Sequence, residues 1–125
     1  MIRALETARI VAERIGAPVA TDERLREWDY GDFEGLDREV IAVPLREGKK
    51  EFALPLGGTG ETLLRLAVRV YAALEDIRAR YVGQTVLVVA HGGVCRTIET
   101  YFRPVTAEEF SRMTQKNCEI REGEL

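Results

Sequence analysis

Histidine is almost missing from this chain: one residue, His91, in 125. Any imidazole chemistry in these residues rests on that side chain. Cysteine is nearly as scarce. Cys95 and Cys118 are far apart, and neither sits in a Cys-x-x-Cys, which excludes a disulfide framework. They read as two small half-buried residues in a reducing cytoplasm. No apolar run approaches the roughly 18–20 residues that span a bilayer, so no membrane helix is expected. The opening Met1-Ile2-Arg3-Ala4-Leu5-Glu6 has no basic stretch followed by an apolar one, so no signal peptide is expected. A basic excess is missing too: 18 Lys and Arg face 21 Asp and Glu, for a net charge of −3. That argues against nucleic-acid and anionic-membrane binding. What remains is 46% hydrophobic, too apolar for disorder and long enough for one compact domain.

Residues 3–15 have helical spacing, with Ala4, Leu5, Ala8, Val11, Ala12 and Ile15 on one face. Gly16 and Pro18 stop that helix, and Val19-Ala20 follows as a short extended piece. Residues 22–36 read as a structured loop, in which Trp28, Tyr30 and Phe33 are anchoring core rather than a stacking platform. A short helix from Leu36 to Ile41 is possible on pattern, before Pro44, Gly48 and Pro55 break regularity. Gly57-Gly58-Thr59-Gly60 is a turn. Over 61–81, Leu63, Leu66, Ala67, Val70, Tyr71, Leu74, Ile77 and Tyr81 give the strongest helix pattern, ended by Gly83. Residues 85–90 form a continuous β-branched run, as in a strand buried on both faces of a parallel sheet. A helix is expected over about 94–102, stopped by Pro104. Thr106 and Glu109 form a capping box for a helix to about Met113. Residues 118–121 read as a last strand. The whole reads as one α/β domain.

The informative segment is Val86-Leu87-Val88-Val89-Ala90-His91-Gly92-Gly93-Val94-Cys95-Arg96. A strand runs into a glycine turn and then a helix, and ligands in parallel sheets bind at such strand ends. Glycines permit close backbone approach, and a helix N-terminus favours an anion such as phosphate or carboxylate. A histidine there can donate to a phosphoryl oxygen, with a charge tunable near neutral pH. The plainer alternative is a helix-entry histidine bonded to backbone. Arg3 can equally be a solvated first-turn arginine, and Glu27, among Glu23, Arg24, Arg26 and Asp29, part of a solvated charged face. The glycine run at 57–60 is neither a P-loop nor a dinucleotide fingerprint, because the lysine and the third glycine spacing are absent. Glu61 and Thr62 can be simple helix starters.

Five segments in order resemble the histidine phosphatase superfamily, the phosphoglycerate mutase-like group. Ala90-His91-Gly92-Gly93 after a Val-rich strand is similar to its second-histidine motif. Arg3-Ala4-Leu5-Glu6-Thr7-Ala8 resembles its Arg-Ala-x-x-Thr-Ala helix start. The stretch from Leu25-Arg26-Glu27 to Glu34-Gly35 resembles its Leu-x-Glu…Gly-x-x-Glu-Gly segment. Gly57-Gly58-Thr59-Gly60-Glu61-Thr62 resembles its Gly-Gly-Glu-Ser turn. Asn117-Cys118 resembles a late Asn-Cys.

This resemblance implies a three-layer α/β sandwich, with a mostly parallel sheet flanked by helices. It implies one phosphoglycerate mutase-like domain over 1–125 with a short cap or loop insertion at 36–60. It implies phosphomonoester hydrolysis or phosphoryl transfer through a phosphohistidine, with Glu27 as acid and base. Arg3, His91 and the Gly92 backbone would hold phosphate oxygens. No cofactor or metal is implied. The partner is a small phosphorylated metabolite or inorganic phosphate. The family's Arg-His-Gly motif, which carries the nucleophile on the first central strand, has no counterpart here, because His91 matches the other motif. The resemblance therefore implies a truncated domain, little turnover by this chain alone, and a homodimer that covers the slot left by the strand. The alternative is a non-catalytic phosphate-binding or protein-interaction domain.

Overall fold

The computed structural model describes residues 2–37 and 53–125. Among them are four α-helices: α1 (Ile2–Ile15), α2 (Leu63–Arg80), α3 (Gly92–Phe102) and α4 (Ala107–Arg112). Two single 3-10 turns, Glu23–Leu25 and Gly31–Phe33, shape the loop after α1. None of the described helices is long and apolar enough to cross a membrane.

The helix ends follow the chemistry of the sequence. Gly16 takes φ +68° after α1, and the Ala17 N–H reaches back to the Ala12 carbonyl at 3.0 Å. That closes the helix as a glycine cap, which other residues enter only with strain. The Thr62 hydroxyl accepts from the Arg65 N–H at 3.1 Å and opens α2. The Thr106 hydroxyl accepts from the Glu109 N–H at 3.1 Å and opens α4. The Glu109 carboxylate pairs with Arg103 at 2.7 Å.

The buried face of α2 is Leu66, Val70, Ala73 and Leu74, and it packs on α3. Trp28, Val94 and Phe110 complete the core cluster with Leu66, Val70 and Leu74. Thr97 is buried with its hydroxyl donating to the Gly93 carbonyl at 2.9 Å, so no polar atom of its side chain is left unpaired. Tyr71 of α2 and Thr100 of α3 share a hydrogen bond of 2.7 Å across the helix pair.

The expected three-layer α/β sandwich with a parallel sheet does not appear: the described residues form no strand and no sheet. A strand exists only through ladder bonds to a neighbour, and residues 84–90 meet none among the described residues. Val86 and Leu87 are 39% and 49% exposed, not buried on both faces. Val19-Ala20 and residues 118–121 likewise form no strand, with Val19 42% and Ile120 72% exposed. Cys118 instead takes φ +61° within a turn. The Leu36–Ile41 helix and most of the 36–60 cap fall on residues 38–52, outside the described residues.

Leu66 is fully buried, whereas Leu64 is 55% exposed. Leu66→Ala is expected to cost about 2–5 kcal/mol and Leu64→Ala within about 0.5 kcal/mol, read as urea midpoints.

Candidate functional site

The loop after α1 carries a carboxylate to the mouth of α3. Asp22 caps its first 3-10 turn by accepting from the Arg24 N–H at 2.9 Å. The Arg24 guanidinium bonds Asp22, which holds that carboxyl below the usual carboxylate range. Arg24 also reaches Asp76 of α2 at 2.9 Å. Trp28 is buried, and its indole N–H donates to the Glu61 carbonyl at 2.8 Å. The turn at 57–60 lies against the next part of the loop. A Cβ at Gly60 would stand 2.5 Å from the Asp29 carbonyl oxygen, so only glycine lets the two backbones approach this closely.

Between these anchors Glu27 faces α3. Its Oε1 accepts from the Trp28 N–H at 2.9 Å and the Gly93 N–H at 3.1 Å. A carboxylate there satisfies an orphan helix donor and meets the positive end of the helix dipole. Glycine at position 93 lets the carboxylate come this close: a Cβ would sit 2.7 Å from Glu27 Oε1 and 3.1 Å from Trp28 Cβ. His91 precedes α3 in extended conformation, φ −124° and ψ 167°, and its carbonyl accepts the Cys95 N–H at 2.8 Å.

Arg3, Glu27, Tyr30, Phe33, Glu34 and His91 are among the residues that line one open cleft of about 500 Å³. Burial pushes the His91 imidazole below its ordinary value, the Glu27 charge opposes this, and Arg3 adds to the lowering. Burial pushes the Cys95 thiol up, and Glu27 adds to that. Cys95 is therefore a poor nucleophile.

The structure thus brings Arg3, Glu27 and His91 to one cleft. Gly92 is exposed at the helix mouth, while the Gly93 N–H is already engaged by Glu27. Of the three aromatics, Trp28 is buried in the core and Tyr30 packs against it, as expected, and all three also border the cleft. Sequence reading also missed Arg26 and Glu34 as lining residues. Only their place beside the Glu27 and Gly35 motif could have signalled them. Among the described residues, no three His, Cys, Asp or Glu side chains gather as metal ligands.

The profile of the histidine phosphatase superfamily (branch 1) matches residues 1–125. Phosphoglycerate mutase-like protein 4 of Arabidopsis thaliana is 37% identical over 108 residues, 82% of this chain and 47% of that protein. The uncharacterized phosphatase PhoE of Bacillus subtilis is 33% identical over 98 residues, 78% of this chain and 47% of its own length. Among solved structures, Bacillus stearothermophilus YhfR superposes with a TM-score of 0.71 at 32% identity, covering 90% of this chain and 57% of that one. The chain belongs to the histidine phosphatase superfamily. It spans about half the length of the curated relatives it matches.

Glu27 and Arg3 act on the single imidazole with opposite sign, and the N-terminal charge acts in the same direction as Arg3. Glu27→Gln is expected to lower the His91 titration midpoint and Arg3→Gln to raise it, as read from the imidazole proton signals by NMR. The folded imidazole binds its proton less readily than the ordinary value of 6.5 implies. The unfolded chain therefore protonates first, and stability falls as pH drops below about 6.5. His91→Asn is expected to remove that part of the slope in urea melts between pH 7 and pH 5.

Proposed function

We propose that the cleft binds the phosphoryl group of a small phosphorylated metabolite, and that the chemistry it serves is phosphomonoester hydrolysis or phosphoryl transfer. The observation that carries this reading is the meeting of Arg3, Glu27 and His91 on one cleft at the N-terminus of α3. A phosphoryl oxygen placed there meets a guanidinium, an imidazole and the exposed Gly92 backbone. Glu27 is the proton carrier. As an acid it protonates the leaving ester oxygen, and as a carboxylate it takes a proton from the water that attacks the phosphoryl-enzyme. Oε1 is fixed by two backbone N–H groups, so Oε2 carries that proton. The relatives called a phosphatase and a phosphoglycerate mutase-like protein support the reaction class.

The phosphohistidine route uses a second histidine as nucleophile. These residues hold one, and it stands at the mouth of α3. That favours a second reading for the 125-residue polypeptide by itself: a phosphate-binding domain that does not turn over esters. The proposal extends to a cytoplasmic setting, supported by the unpaired Cys95 and Cys118. It also includes self-association, supported by the partly exposed Val86 and Leu87 on a segment without a ladder partner among the described residues.

Calorimetry with inorganic phosphate or vanadate is expected to show one site. Arg3→Ala should weaken it roughly ten- to a hundredfold, the loss of one charge-assisted contact of about 1.5–3 kcal/mol. Turnover of p-nitrophenyl phosphate by the polypeptide alone is expected to stay at background. Absence of any anion binding contradicts both readings. Light scattering that finds only monomer at micromolar concentration contradicts the self-association.

A further inference from the structure

Arg69 is an arginine on a helix face that pattern alone assigns to solvent. Yet its side chain is only 15% exposed and that of its partner Glu61 only 11%. The guanidinium makes five bonds, matching its five N–H donors. Nε and Nη2 grip the two Glu61 carboxylate oxygens at 2.7 and 2.8 Å, a bidentate fork. Nη1 donates to the carbonyls of Arg24 and Arg26 at 2.6 and 2.8 Å, and Nη2 to that of Glu27 at 3.1 Å. Three carbonyls within four residues of the loop thus converge on one cation.

Glu61 holds the other side of the same loop. Its carbonyl accepts the Trp28 indole N–H at 2.8 Å, and its N–H donates to the Asp29 carbonyl at 2.9 Å. The peptide that bears Glu27 is therefore gripped before, at and after that residue by one ion pair. A lysine cannot copy this, since it is a point charge without the planar fork. A shift of about 1 Å in such a peptide suffices to spoil a working geometry.

We propose that Arg69, paired with Glu61, is the positioning residue that sets the Glu27 carboxylate against His91 and the mouth of α3. The role is distinct from touching substrate, and it rests on the reading of Glu27 and His91 as a working pair.

The chain's single imidazole reports on it directly. In folded Arg69→Lys, the His91 NMR titration midpoint is expected to fall in the same direction as in Glu27→Gln, by at least half as much. The Arg69→Lys/Glu27→Gln double variant is expected to shift no further than Glu27→Gln alone. Arg65→Lys, on the exposed side of α2, is the control and should leave the midpoint in place. A purely structural staple would lower the urea midpoint without moving the imidazole of the folded protein. Should Arg69→Lys not fold, Arg69→Met/Glu61→Gln leaves no unpaired buried charge and carries the same expectation. A midpoint unchanged in the folded Arg69 variant, with Glu27→Gln still shifting it, overturns the positioning role and leaves the site standing. A midpoint unmoved by Glu27→Gln itself overturns the site, and the positioning role with it.

Discussion

The Glu27 carboxylate on the Gly93 N–H ties two distant parts of the chain, 66 residues apart in sequence, into one cleft. A helix N-terminus offers donors that nothing inside the helix can satisfy, and its partial positive charge favours an anion. Here the anion comes from the chain itself. An interaction of this kind contributes about 0.3–1 kcal/mol in exposed sites and up to about 2 kcal/mol where partly buried. Its larger consequence is geometric. Glu27 Oε1 also accepts the Trp28 N–H, and a Cβ at position 93 would stand 2.7 Å from that oxygen and push it from the helix mouth.

Two arginines make that geometry affordable for a loop. Arg24 runs from the loop to Asp76 and the Ala72 carbonyl of α2, and Arg69 runs from α2 back to the loop. Backbone carbonyls taken from water must find donors, and a loop packed on a helix has no ladder to supply them. The guanidinium of Arg69 supplies them instead. Beneath it, Leu66, Val70 and Leu74 pack on Val94, Trp28 and Phe110, so the helix pair and the loop share one core.

Helices were the legible part of the sequence. The 3.6-residue spacing of Leu66, Val70 and Leu74, the glycine at 16 and the threonine caps at 62 and 106 each carry a local physical signal, and the helices stand where those signals lie. The strand reading at 85–90 failed because β-branched composition describes only a surface that suits a sheet; the ladder partner is non-local, and no described segment provides it. At the site, the glycine-histidine segment and the Leu-x-Glu segment were readable as motifs. Their meeting was not, since it depends on a loop path 66 residues away in the chain. Arg69 was hidden by the same logic that makes most helix-face charges solvated, and Glu61 passed as a helix starter. Trp28 and Tyr30 anchor the loop on the core, but aromatic character alone does not say that these two and Phe33 also border a cleft.

The Glu27 carboxylate is held by two backbone N–H groups and shares one cleft with Arg3 and His91, in a chain that belongs to the histidine phosphatase superfamily. The cleft depends on the bond between Glu27 and the α3 N-terminus. The Gly93 amide proton in a 1H–15N spectrum tests it most directly. That proton is expected far downfield, shifted by a charged acceptor, and is expected to move upfield in Glu27→Ala while the amides inside α2 stay in place. A Gly93 amide indifferent to that substitution contradicts it.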